Sequence, residues 1–391
     1  MLGRYCHLEI GVLPAEMIEQ LKTLLRSHGH LFPGRGLVPG VIALTLALLC
    51  LLAVLAFHFP QYLTTPQLRA AYDVEVLRAI LLAALIVAGG LSVTNLLLNR
   101  NRWLASVTFA LVLICVLLGD HRIAVDPNFP EDAPSIGLDW FILDLLGSSL
   151  IFIFIEKLFP LRREQPVFRA EWQVDLQHFA MNHLLVGFLT LLANTVVHRF
   201  FGPFKSSAVQ SVVAQLPFAV GVLFMLLTVD LVQYWIHRAY HEVPLLWRLH
   251  AVHHSVKSMD WLAGSRQHLL EVLMTRMAVL APIYVLGFSQ EVINAYVIIV
   301  GFQAVFNHAN VNVRLGWLRN VIVTPNFHHW HHSQDRQAID RNYAAHFAFF
   351  DLLFKTAVKS TEAWPREYGV VGDYVPQGYV KQLKFPWTWK G

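Results

Sequence analysis

Charge-free apolar runs separated by short polar stretches recur along this chain. The clearest is "VIALTLALLCLLAVLAF" at residues 41–57. At ~1.5 Å per residue it predicts a helix of roughly 25 Å, close to the depth of a bilayer's hydrocarbon core. It lies behind about 40 mixed residues, deeper than the apolar region of a cleaved signal peptide. Further runs at about 79–98, 104–119, 138–156, 176–197 and 214–236 predict more spans. Two shorter runs, about 274–287 and 291–306, meet at "GFSQE". They predict either two more crossings or a hairpin that dips into the bilayer and leaves on the side it entered. The fold class expected is all-α: a polytopic membrane helix bundle of six to eight spans with a cytoplasmic helical cap.

Composition agrees with that pattern. Of 391 residues, 55% are hydrophobic and only 14% charged, an imbalance foreign to ordinary soluble domains. Loop charge predicts orientation. Arg4, Lys22, Arg26 and Arg35 precede the first span, Arg100 and Arg102 follow the second, and Lys157, Arg162 and Arg163 follow the fourth. The alternate loop at 120–137 is acidic, with Asp120, Asp126, Glu131 and Asp132. By the positive-inside rule the N-terminus is cytoplasmic. A net charge of +4 fits such loops and gives no argument for nucleic acid. Of the three cysteines, Cys6, Cys50 and Cys115, the last two lie inside apolar runs and none forms a CxxC pair, which argues against a disulfide framework or thiolate metal site.

Proline and acid accumulate at 120–137, marking a boundary. Four segments are expected: a cytoplasmic stretch 1–40, an accessory transmembrane bundle 41–137, a chemistry-bearing membrane domain 138–357, and an aromatic, Lys-bearing tail 358–391. The tail suits either the headgroup level or the core of a small cap.

A chain this poor in polar groups nevertheless places 11 of its 20 histidines between 237 and 332. "HRAYH" carries His237 and His241, "HAVHH" carries His250, His253 and His254, and "HHWHH" carries His328, His331 and His332. On a helix, offsets of three and four share a face, so two or three imidazoles can converge on one ion. Eight such rings exceed what one ion can hold and suggest two ions, each with three or more nitrogens. His268 in "RQHLLE" and His308 in "FNHAN", at the two feet of the hairpin, could complete the set. His329 points off the shared face. The remaining histidines, His7, His28, His30, His58, His121, His178, His183, His198 and His346, are scattered and read as structural. Asp230, Asn310, Asp340 and Asp351 are candidate partners for the outward ring nitrogens, holding each ring in its ligating tautomer. Glu271 is expected to pair with Arg266 and do no more.

At these residues the chain resembles the membrane fatty acid hydroxylase / sterol desaturase superfamily. Its three boxes HxxxH, HxxHH and HxxHH stand here without gaps. "DLVQYWIHR", "NHAN" and "DRNYAAHFAFFDLLFKT" resemble its flanking elements, and the likeness runs from about 138 to 357. The chain departs from the pattern at "RQHLLE", where His–Pro is usual, and at Ala344 and Lys355, where Gly is usual. The resemblance implies a dinuclear non-haem centre of two iron ions that uses O2 to oxidise an unactivated C–H bond of a fatty acid, sterol or related lipid. Nitrogen ligation alone would accept zinc, which has no redox chemistry.

A lipid substrate is expected to reach the cluster from the bilayer. No haem, dinucleotide or iron–sulfur motif is present in the sequence, so electrons are expected from a separate reductase, ferredoxin or cytochrome b5-like carrier. A cluster on the cytoplasmic face, in a bacterial inner membrane more than in endoplasmic reticulum, is the expected location. Two other classes compete: a metal transporter or sensor, and a non-catalytic zinc-retaining membrane protein. A transporter would place ionisable groups at mid-membrane depth, whereas these histidines collect at the edge of the spans.

Overall fold

The structure, a computed structural model, describes residues 37–65, 73–98, 102–125, 136–313, 315–358 and 363–389. Residues 1–36 of the expected N-terminal segment lie outside them. The described residues are helical, with two isolated β-bridges and no strand. Contacts divide the chain into two units. One contains residues up to His58 together with Asp73–Val125, and the other Phe59–Tyr72 with Asp126–Gly391.

Among the described residues the first unit holds three long helices, α1 (Leu37–His58), α2 (Val74–Leu98) and α3 (Trp103–Leu117), and a 3-10 turn at Asp120–Arg122. Along α1 the buried side is small, with Gly40, Ala43, Ala47, Cys50 and Val54 at helical spacing. Lipid offers no hydrophobic drive between helices, so close approach of small residues is what holds such an interface. Leu81, Leu85 and Cys115 fill the seam, while large side chains such as Ile86, Leu97 and Leu117 face outward. Buried polar groups satisfy themselves locally, as where Ser92 Oγ donates to Ala105 O at 2.8 Å.

The second unit begins, after a single turn at Pro60–Leu63, with α4 (Leu138–Leu158). Next come α5 (Trp172–Leu184) and α6 (Val186–Phe201), which meet at a 55° bend. The single span expected at 176–197 is therefore broken. The cause is the polarity of α5. Asp175 binds Arg169 and Arg266, His178 Nε2 meets Gln382 Oε1 at 2.9 Å, and His183 Nε2 meets Asp144 Oδ2 at 2.7 Å. A helix committed to those partners cannot continue straight among lipid chains.

A short α7 (Ser207–Ala214) precedes α8 (Phe218–Glu242). Twenty-five residues at ~1.5 Å exceed a ~30 Å hydrocarbon core, so α8 is long enough to span it with residues to spare, and His237 and His241 lie in its last two turns. Pro244 at the first position of α9 (Pro244–His254) turns the chain there. α10 (Leu269–Leu286) leaves the histidine end and α11 (Gln290–His308) returns to it, each packed against α8. α11 carries polar anchors: Gln303 donates to Val323 O and His346 O, and Asn307 to Ala345 O. Its polar residues, Gln290, Glu291, Asn294, Gln303, Asn307 and His308, lower its hydropathy, and α11 is not among the helices apolar enough to cross a membrane. Among the described residues, six helices are long and apolar enough to cross a membrane, or seven if the bent pair counts as one span.

Three short helices, α12 (Pro325–His331), α13 (Phe349–Leu353) and α14 (Tyr379–Thr388), build the histidine end. The tail is part of this end. Val370, Val375 and Phe385 bury against Ala251 and Val252 of α9, and Trp247 Nε1 donates to Tyr374 OH at 2.8 Å.

Candidate metal centre

The ends of four helices bring the histidines together. His237 and His241 of α8, His250 and His254 of α9 and His331 of α12 each place a ring nitrogen within 4.8 Å of one another. A second group forms in the same way from His253 of α9, His308 closing α11, His328 of α12 and His332 just beyond it. Nine of the ten expected ligand candidates thus converge as five and four.

Each HxxHH box serves both groups. His250 and His254 go to the first and His253 to the second; His328 and His332 go to the second and His331 to the first. Residues four apart stay within about 40° on a helix, whereas neighbours in sequence lie about 100° apart and face different partners. His329 belongs to neither group, and its Nδ1 meets Tyr368 OH at 2.9 Å.

The outward nitrogens fix the tautomers. A carbonyl can only accept, so His237 Nδ1 donates to Tyr343 O (2.6 Å), His331 Nδ1 to Arg341 O (2.8 Å), His253 Nδ1 to Arg266 O (3.1 Å) and His308 Nδ1 to Ala304 O (2.8 Å). Their Nε2 atoms then carry bare lone pairs that point inward. His253 Nε2 faces His308 Nε2 at 3.4 Å, and buried Nε2 atoms of His241 and His331 have no hydrogen-bond partner. Two lone pairs facing one another repel, and unpartnered buried acceptors are costly. A cation between them removes both penalties, so the donor set fits metal ions.

Burial, reinforced by neighbouring imidazoles, holds His250, His253, His254, His328, His331 and His332 well below the ordinary imidazole pKa. At neutral pH these rings are uncharged, the form that ligates metal.

The expected supporting residues divide. Asp340 Oδ1 lies 3.3 Å from His241 Nδ1. Asp230 and Asp351 touch no ring: Asp230 accepts from the backbone of Ala345, His346 and Phe347, and Asp351 from that of Tyr343 and Ala344. They hold the 340–347 segment whose carbonyls orient His237 and His331. Within it Asp340 and Asn342 adopt left-handed backbone (φ 54° and 59°), a conformation Asp and Asn tolerate better than most residues. Asn310 is exchanged with Arg162 instead, accepting its N–H at 2.9 Å and donating to its carbonyl at 3.1 Å.

Two expectations are corrected. His268 joins neither group. Its Nδ1 caps α10 by accepting from Leu270 N (3.2 Å), and its Nε2 donates to Leu383 O (3.0 Å). Glu271 does not pair with Arg266, which is held by Asp175 and Glu171; its Oε1 lies 2.8 Å from His250 Nδ1. Its place one turn into α10, three residues after an N-cap, was the available signal. Gly264 is a further unsuspected participant: a Cβ there would sit 2.8 Å from His308 Nδ1.

A cavity of about 250 Å³ opens beside the first group, lined in part by His241, His254, His331, Asp340 and Tyr374.

Residues 222–356 match the sequence model of the fatty acid hydroxylase family. The chain is similar to ornithine lipid hydroxylase OlsE of Rhizobium tropici, 27% identical over 255 residues, 64% of this chain and 77% of that protein. It is also similar to human alkylglycerol monooxygenase, 32% identical over 133 residues, 33% of this chain and 29% of that one. Very-long-chain aldehyde decarbonylase GL1-4 of Oryza sativa subsp. indica is 28% identical over 145 residues, 34% of this chain and 23% of that protein. No solved structure matches.

Proposed function

We propose, from the premise that this multi-span helical chain carries a fatty acid hydroxylase domain over residues 222–356, that it performs O2-dependent oxidation of a lipid C–H bond. Two relatives are named as a lipid hydroxylase and an alkylglycerol monooxygenase, which supports a lipid substrate and an oxidoreductase. The single observation that carries the reading is the pair of histidine groups whose ring nitrogens gather within 4.8 Å of one another, with the outward Nδ1 atoms of His237, His331, His253 and His308 tied to backbone carbonyls.

The residues proposed to hold one metal are His237, His241, His250, His254 and His331, and those for the other are His253, His308, His328 and His332. His268 is omitted because both its nitrogens are engaged elsewhere. When bound, two iron ions supply reduction of O2 and the oxidising power for C–H cleavage, which zinc cannot. Hydroxylation balances as lipid C–H plus O2, two electrons and two protons giving lipid C–OH and water. With no cofactor motif in the chain, the electrons come from a separate carrier.

The chain's own part is positional. Backbone carbonyls of Arg266, Ala304, Arg341 and Tyr343 keep the ring protons outward. α8, α10 and α11 meet the cluster end directly, so an acyl chain can reach it from the bilayer without crossing water. Basic loops after the second and fourth spans support a cytoplasmic cluster.

Lipid analysis of cells with and without the gene, under ¹⁸O2, tests the proposal. A lipid gaining one labelled oxygen is expected. Identical lipid profiles, with redox-inert zinc in protein expressed with iron supplied, would refute it.

A further inference from the structure

Glu271 is buried (3% exposed) at the start of α10. Its Oε1 meets His250 Nδ1 at 2.8 Å, and its Oε2 is buried without a hydrogen-bond partner. Among the described residues no Lys or Arg pairs with it. For His250 to offer Nε2 inward to a cation, its proton must sit on Nδ1 and Glu271 Oε1 must accept it; a carboxyl oxygen accepts in either protonation state, and a cation on the ring would favour the carboxylate. The carboxylate is a buried anion whose nearest counter-charge would be a cation held by the ring it touches; otherwise it is strongly unfavourable.

The second group has no equivalent. Outward nitrogens of His253 and His308 meet neutral carbonyls, and those of His328 and His332 are buried without partners. Asp175, whose charge also reaches His308, is neutralised by Arg169 and Arg266.

We infer that Glu271 is a dedicated counter-charge, acting through His250, for the metal of the first histidine group, so that the two metal positions are electrostatically unequal. The inference rests on the proposed metal centre. Glu271 is a positioning residue: a ring N–H bonded to a carboxylate makes its other nitrogen a stronger donor, and loss of such a partner typically weakens metal binding by 10- to 100-fold. Five nitrogens against four already favour the first group, so unequal affinity alone does not identify the carboxylate. Removing its charge does.

The test uses the full chain in detergent, stripped of metal and titrated with Co²⁺ against a chelator, with ligand-field absorption as the readout. Glu271→Gln keeps the shape and an acceptor for His250. In a His328→Ala background, which disables the second group, it is expected to weaken Co²⁺ binding roughly 10- to 100-fold. In a His331→Ala background, which disables the first, it is expected to leave affinity unchanged. Glu271→Asp, which keeps the charge, should retain most of the affinity and guards against misfolding of the amide variant. Equal weakening in both backgrounds, or in neither, overturns the role of Glu271 while leaving the metal centre intact. Failure of the unsubstituted chain to bind Co²⁺ overturns both.

Discussion

The two histidine groups are made from the same boxes yet are held in different ways. The first is braced by the 340–347 segment and by two carboxylates, Glu271 on His250 and Asp340 on His241. The second is braced by carbonyls of α11 and of the turn before α10, and by the absence of a side chain at Gly264. One position is built on charge and a clamped loop, the other on close backbone packing. The same donor chemistry can thus be tuned separately in the two groups, because the supporting groups rather than the imidazoles differ.

Removing a ligand from either group breaks the comparison most strongly. His331→Ala and His253→Ala should each lower bound transition metal from close to two ions per chain to close to one, read by elemental analysis of purified protein. Unchanged content in both would refute the ligand sets. Gly264→Ala should act on the second group alone. A Cβ 2.8 Å from His308 Nδ1 forces the ring away from Ala304 O, and affinity at that position should fall roughly 10- to 100-fold, with the first position unaffected. Equal loss at both would show that the groups are one mechanical unit. The smallest effect is expected from Asp340→Asn. Its side chain is 54% exposed and its contact with His241 is long, so solvent screens it, and a change of less than about tenfold at the first position is expected in the same titration. A loss as large as that of Glu271→Gln would mean that burial does not decide which carboxylate matters.

Much of the site was legible before the fold. Spacing of four within one helix is local geometry, so His237 with His241, His250 with His254 and His328 with His332 had to share faces wherever those helices went. Length and apolarity likewise required the membrane-scale helices. The remainder depended on partners remote in the chain. His268 looked like a ligand because its cap acceptor role and its bond to Leu383 O join segments with no common pattern. Asp230 and Asp351 are correctly chosen acids with a different task, since the backbone N–H groups they accept lie in a loop that only the folded chain brings to them. The break between α5 and α6 goes with buried partners that Asp175 and His178 find in remote segments, Arg266 and Gln382, which a hydropathy reading cannot foresee.

By itself the amino-acid sequence determined the helical, lipid-facing character of the chain and the stock of neutral imidazoles on shared faces, because both follow from periodicity within single helices. Only the tertiary structure decided how nine rings divide into five and four, which acid lies against which ring, and that Glu271 meets His250 while Arg266 is held by Asp175 and Glu171. Those outcomes depend on which remote segments meet: Tyr343 O, for example, orients a ring 106 residues away.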